Sequence, residues 1–214
     1  MKGDEDVFVM INEEQFDFQK VEIIVLEQGI RNLFSNFDKM TLRELIRQKK
    51  YEQIKDDTEK NFAYLLEQPA GKAIQQMKDY GHPFYKQFLN NYGDLEYSRF
   101  VVKGNDEALR KNGVYMIIAD EELVFCGVCA RNFKERINQH IGSIYAKGCF
   151  RDGTATHCHV NANITQKMQT SKVYFGICPI DDKKEMNQLK NAIIKRFEPE
   201  WNLRSNQVVM SLNY

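Results

Sequence analysis

Residues 113–128 read GVYMIIADEELVFCGV, and this stretch decides the fold. Two runs rich in β-branched and aromatic residues, Gly113 to Ala119 and Leu123 to Val128, flank Asp120-Glu121-Glu122, which predicts a hairpin. Toward the C-terminus, Asn132-Phe133-Lys134-Glu135 has capping-box form, in which each side chain satisfies a free backbone N–H at a helix start. Phe133, Ile137, Ile141 and Ile144 follow at helical spacing. Residues 148–171 are polar and read as irregular, and Val173 to Ile180 reads as a third strand. Asp182-Lys183-Lys184-Glu185 caps a last helix, with Met186, Leu189, Ile193 and Phe197 along its apolar line and Pro199 ending it. The order is ββαβα, an α/β (α+β) domain over residues 109–214 with a small three-stranded central sheet between helices.

Toward the N-terminus, residues 1–108 read as a mostly helical region. After a short strand from Val7 to Ile11, the spacing of Val21, Ile24, Val25, Leu26, Ile30, Leu33 and Phe34 predicts a helix. Thr41-x-x-Glu44 is a second capping box, opening a helix with Leu42, Leu45 and Ile46 on one side and Arg43, Arg47 and Lys50 on another. Helices are expected at about 57–67 and 70–80. Phe84, Tyr85, Phe88 and Tyr92 form an aromatic rim suited to packing on the other domain.

Composition sets the outer bounds. The chain has 214 residues, 43% of them apolar, enough to build a core. No apolar run approaches the ~20 residues of a membrane span, and no charged-then-apolar leader opens the chain. Five cysteines without a secretory signal point to reduced thiols and a cytoplasmic location. The 30 basic and 30 acidic side chains cancel, but unevenly: residues 1–108 hold 15 Lys/Arg against 20 Asp/Glu, and residues 109–214 hold 15 against 10. The basic half is therefore the expected nucleic-acid side and the acidic half the expected protein-contact side.

Four short motifs in the second half fall in a telling order. Gly113-Val114-Tyr115 lies on the first strand and Phe125-Cys126-Gly127 on the second. Arg136 and His140 share a helix face, and Phe197-Glu198-Pro199-Glu200-Trp201-Asn202 closes the last helix. Over residues 110–204 this set resembles the GIY-YIG nuclease family, most closely its type II restriction endonucleases. The resemblance implies site-specific hydrolysis of double-stranded DNA with one Mg²⁺ per active site, by a homodimer on a palindromic target. It implies Tyr115 beside the attacking water as the candidate base, Arg136 as a clamp on the scissile phosphate, His140 as a relay or orienting group and Asn202 as a positioning residue.

Two positions depart from the family pattern. The second motif tyrosine is Phe125, and the metal-binding glutamate, twelve residues before the asparagine, is Lys190. An ammonium group cannot ligate Mg²⁺. The chain is thus either an inactivated nuclease or a non-catalytic DNA-binding module on the same fold. Arg43, Arg47 and Lys50, together with Arg151, His157, His159, Asn161 and Lys167 of the polar segment, are candidates for gripping phosphates or reading base edges. The Cys126-x-x-Cys129 pair, with Cys149, His157, Cys158 and His159 downstream, has zinc-ligand residue types. No second CxxC accompanies it, and buried reduced thiols rather than zinc are expected.

Overall fold

The computed structural model describes residues 7–203. Val7, Val9 and Ile11 turn inward and Phe8 and Met10 outward along β1 (Val7–Ile11), the period-2 pattern of a half-covered strand. Asn12 and Glu13, with φ of 49° and 69°, form a two-residue turn into β2 (Glu14–Ile30). The helix expected over Val21–Phe34 is instead the second half of this 17-residue strand. The crowded β-branched sequence Val21, Ile23, Ile24, Val25 suits a pleated backbone better than a helical one. Strand pairing agrees, since β2 takes β1 over residues 14–18 and β6 (Val173–Pro179) over residues 19–22.

α1 (Leu42–Ile46), α2 (Glu52–Asn61) and α3 (Ala70–Asp79) follow. The Thr41–Glu44 capping box forms: Thr41 N–H donates to Glu44 Oε2 at 2.7 Å, and Glu44 N–H to Thr41 Oγ1 at 3.2 Å. α1 stops at Ile46, so Arg43, Arg47 and Lys50 do not share one helix face as expected.

Next come β3 (Tyr97–Lys103), which pairs with β2, then α4 (Asp106–Leu109), β4 (Gly113–Ala119) and β5 (Glu122–Cys129). The hairpin joining β4 and β5 turns on Asp120 and Glu121, both at positive φ. α5 (Phe133–Glu135) continues as a π-helical turn over Arg136–Ile141. The segment read as irregular carries α6 (Ala155–Lys167), and after β6 comes α7 (Lys183–Phe197), with Asp182 capping it as expected.

Among the described residues the sheet has six strands instead of three, in the order β1-β2-β6-β4-β5 with β3 on β2. The predicted three lie side by side as β5-β4-β6, both pairs antiparallel, and the misread β2 extends them. One face is closed by α7, whose Met186, Leu189 and Ile193 join Val114, Met116, Ile118 and Cys126 in a common core. The alternating residues Tyr115 and Ile117 point to the other face.

The chain divides into two compact units, each assembled from separated segments. One takes residues 7–28, Ser98–Ser143 and 163–203 of the described chain; the other takes Gly29–Tyr97 and Ile144–Ala162. By this division the second unit holds 13 Lys/Arg and 11 Asp/Glu, and the charge contrast between sequence halves is not a contrast between bodies. The second unit closes on its own aromatic core of Phe34, Tyr51, Phe88, Tyr97 and Phe150, and Phe84, Tyr85 and Tyr92 pack there too.

Candidate functional site

Two glycines make the site possible. At Gly113, φ is 153°, and a Cβ would stand 2.1 Å from the Cys178 carbonyl oxygen and 2.9 Å from the Phe133 ring. β6 and α5 therefore approach this end of β4 only because no side chain is there. Gly127 is the register partner of Tyr115, and a Cβ at Gly127 would stand 2.7 Å from the Tyr115 Cζ and Oη. The phenol ring lies across the bare backbone of β5.

Tyr115 is buried there, its ring 5.9 Å from that of Phe125 and 6.4 Å from that of Phe175. Burial pushes its hydroxyl well above the ordinary phenol range, and the Arg136 guanidinium pulls the other way without reversing this. At neutral pH such a group is a hydrogen-bond donor and not a base. Phe125, in place of the second motif tyrosine, contributes packing only.

Arg136 is half-buried on the π-helical turn, close enough to the Cys129 thiol and to Tyr115 to favour the ionised form of each. Burial raises the Cys129 thiol, opposed by the Arg131 backbone N–H and by Arg136. The turn closes through a bond from Gly142 N–H to the Ile137 carbonyl at 2.6 Å, five residues back. Turns of this type recur at functional sites. His140, 42% exposed, has its Nε2 3.9 Å from Glu135 Oε1, and the same carboxylate meets Arg131 at 3.2 Å. Glu135 and Cys129 are site neighbours outside the four motifs; the sequence offers them only as the last residue of a capping box and the second cysteine of the CxxC pair.

Asn202 is committed elsewhere. Its Oδ1 accepts from Cys126 N–H at 2.8 Å and its Nδ2 donates to the Cys126 carbonyl at 2.8 Å, while Trp201 N–H donates to the Val124 carbonyl at 2.8 Å. The segment after α7 thus seals the free edge of β5. Lys190 lies on α7 near Cys126, whose side chain points away from the Tyr115 face. The structure therefore gathers Tyr115, Phe125 and Arg136, with His140 on the same turn, and places Lys190 and the Asn202 amide at Cys126.

The Mg²⁺ that the resemblance implies does not fit the donor at position 190, because a lysine ammonium offers no lone pair to a hard cation. Cys126 and Cys129, three apart on one strand, point to opposite faces and do not form one chelate. Among the described residues no three His, Cys, Asp or Glu side chains gather as a metal site.

The remaining nucleic-acid candidates lie in the second unit, except Lys167, which lies in the first. Arg43 is paired with Glu67 at 2.6 Å, Arg151 reaches the Lys50 carbonyl at 3.5 Å, and Lys167 meets Asp120 at 3.1 Å. The His159 ring lies 4.4 Å from that of Tyr92, His157 is half-buried, and Arg47 and Lys50 are exposed. Asn161 is fully buried in α6, so the expectation that it reads bases is corrected: it faces the interior. Among the described residues no helix is long and apolar enough to cross a membrane. Comparison with protein-family models, characterised proteins and solved structures gives no match for this chain.

Proposed function

We propose that this chain binds double-stranded DNA through the Tyr115–Arg136 face of a GIY-YIG-like sheet and, as it stands, does not cut it. One observation carries the reading: a half-buried arginine on a π-helical turn sits beside a buried tyrosine whose ring lies over a glycine of the neighbouring strand. A guanidinium held in this way presents a fixed fork to a phosphate, and a neutral phenol next to it donates a second hydrogen bond. The nearest functional likeness is a type II restriction endonuclease, Mg²⁺-dependent and acting as a cytoplasmic homodimer on a two-fold site, with Lys190 replacing its metal ligand.

The binding-only reading draws on two further observations, the Asn202 amide bound to the Cys126 backbone and α7 packed on the face opposite Tyr115. The Lys190→Glu chain, incubated with genomic DNA and Mg²⁺, separates the two. Discrete fragments identify an inactivated nuclease. Retained, salt-sensitive binding of duplex DNA without cleavage identifies a binding module. A wild-type chain that binds no duplex even at low salt refutes both.

A further inference from the structure

α5 and its π-helical extension have a second flank. There an open cleft of about 410 Å³ is lined by Arg110, Asn132, Lys134, Glu135, Asn138 and Gln139. Hydrogen bonds from backbone N–H groups fix its walls. Phe133 N–H donates to the Lys111 carbonyl at 3.0 Å, tying α5 to the loop after α4, and Val102 N–H donates to Asn138 Oδ1 at 2.9 Å. Asn132 is held as the cap, accepting from Glu135 N–H at 2.7 Å. The frame is therefore built before any ligand arrives.

The charge inside that frame is positive. Glu135 is the one carboxylate among the described lining residues, and it is turned to Arg131 and to the Asn132 amide, both at 3.2 Å. Lys134, 52% exposed, has a long 3.4 Å contact with Asp106, which is itself 75% exposed. Water screens such a pair, and an incoming phosphate displaces the carboxylate readily. Arg110 and Gln139 are exposed. Arg136 follows Glu135 by one residue, so cationic groups stand on both flanks of the same short helix.

The geometry points to this cleft as a second DNA-backbone contact, in which Arg110 and Lys134 each hold a phosphate and Gln139 faces the adjoining base edges. The inference rests on the DNA-binding reading above. Guanidinium and ammonium groups over a preformed polar wall suit the regularly spaced charge of a duplex backbone, and a glutamine amide beside them suits a base edge.

The test uses the full chain and a short fluorescein-labelled DNA duplex, with binding followed by anisotropy across a sodium chloride series. The Arg110→Ala/Lys134→Ala double variant weakens binding and lowers the slope of log K against log salt by about two, one for each lost phosphate contact. Lys195→Ala, at an exposed lysine of α7, leaves the slope unchanged. Because both cleft cations are at the surface, the double variant keeps the wild-type urea midpoint. A wild type that binds while the double variant keeps the same slope overturns the cleft alone. A wild type that binds no duplex overturns the cleft and the DNA-binding reading together.

Discussion

Replacing Gly113 with alanine tests the central claim about how the site is built. The new Cβ would lie 2.1 Å from the Cys178 carbonyl oxygen, where real contacts stay beyond 3.0 Å, so β4 and β6 must separate by about 0.9 Å. Neither group is a flexible side chain, and the bonds to be strained belong to the central strand pair. Overpacking of this kind costs ~1–3 kcal/mol. The φ of 153° adds ~1–3 kcal/mol of backbone strain for a residue bearing a Cβ. The smaller conformational entropy of the unfolded chain returns ~0.4–1 kcal/mol. At mid-range these net to about 3 kcal/mol (~1–6 at the extremes), or roughly 6–12 °C in melting temperature for a chain of this length. Gly127→Ala is the matched comparison, because the atoms nearest its Cβ belong to aromatic side chains, Tyr115 at 2.7 Å and Phe125 at 2.9 Å, and not to backbone. Rings tilt, and the expected cost falls to ~1–2 kcal/mol, with Tyr115 displaced. Urea unfolding followed by far-ultraviolet circular dichroism measures both. If Gly113→Ala stays within about 1 kcal/mol of wild type, or harms the fold less than Gly127→Ala, the argument that bare backbone brings these strands together is refuted.

Asn202→Asp keeps an acceptor for Cys126 N–H but sets a carboxylate oxygen against the Cys126 carbonyl. It is expected to cost ~2–3 kcal/mol, at least as much as Asn202→Ala, and a wild-type urea midpoint for the aspartate variant would show that the edge seal does not form in solution. Cys126 and Cys178 are pushed up by burial, to about 12 and about 11, from a thiol value of 9.0. Their folded values exceed their unfolded ones, so their contribution is complete below pH 9 and is lost as the pH rises toward 11 and 12. Above pH 9 each thiol is expected to remove about 1.4 kcal/mol of stability per pH unit. A urea midpoint that stays flat between pH 8 and pH 10.5 contradicts this.

Part of the molecule is legible in the sequence because local preference and final environment agree. Gly113–Ala119 is β-rich and ends up fully buried, and Met186, Leu189 and Ile193 keep the period of the helix they form. β2 misleads because Val21, Ile24 and Val25 satisfy a helical period while being β-branched, and pairing with β6 at Val21 and with β3 selects the strand. α6 misleads in the opposite way. Its buried face includes Asn161 and Thr165, so an interior position looks like a polar loop. At the site, the grouping of Tyr115 with Arg136 is legible from motif order. What Asn202 bonds to, and which face of the sheet α7 covers, depend on strand register, and a one-residue shift in register exchanges the faces.

Register also decides what a carboxylate at position 190 can do. Phe125 and Gly127 turn toward Tyr115, while Cys126 between them turns toward α7 and Lys190. A side chain leaving α7 for the Tyr115 face has to pass around the edge of β5, where Trp201 and Asn202 are bonded to Val124 and Cys126. Those three bonds are worth ~0.5–1.5 kcal/mol each, so opening the edge costs about 1.5–4.5 kcal/mol. Cleavage by the Lys190→Glu chain therefore requires the Asn202 seal to open, and weakening the seal should then raise the cleavage rate. Asn202→Ala in the Lys190→Glu background measures this directly. A faster rate means that the seal holds the metal position away from Tyr115. A slower one means that Asn202 positions the chemistry after all, as the family resemblance implies.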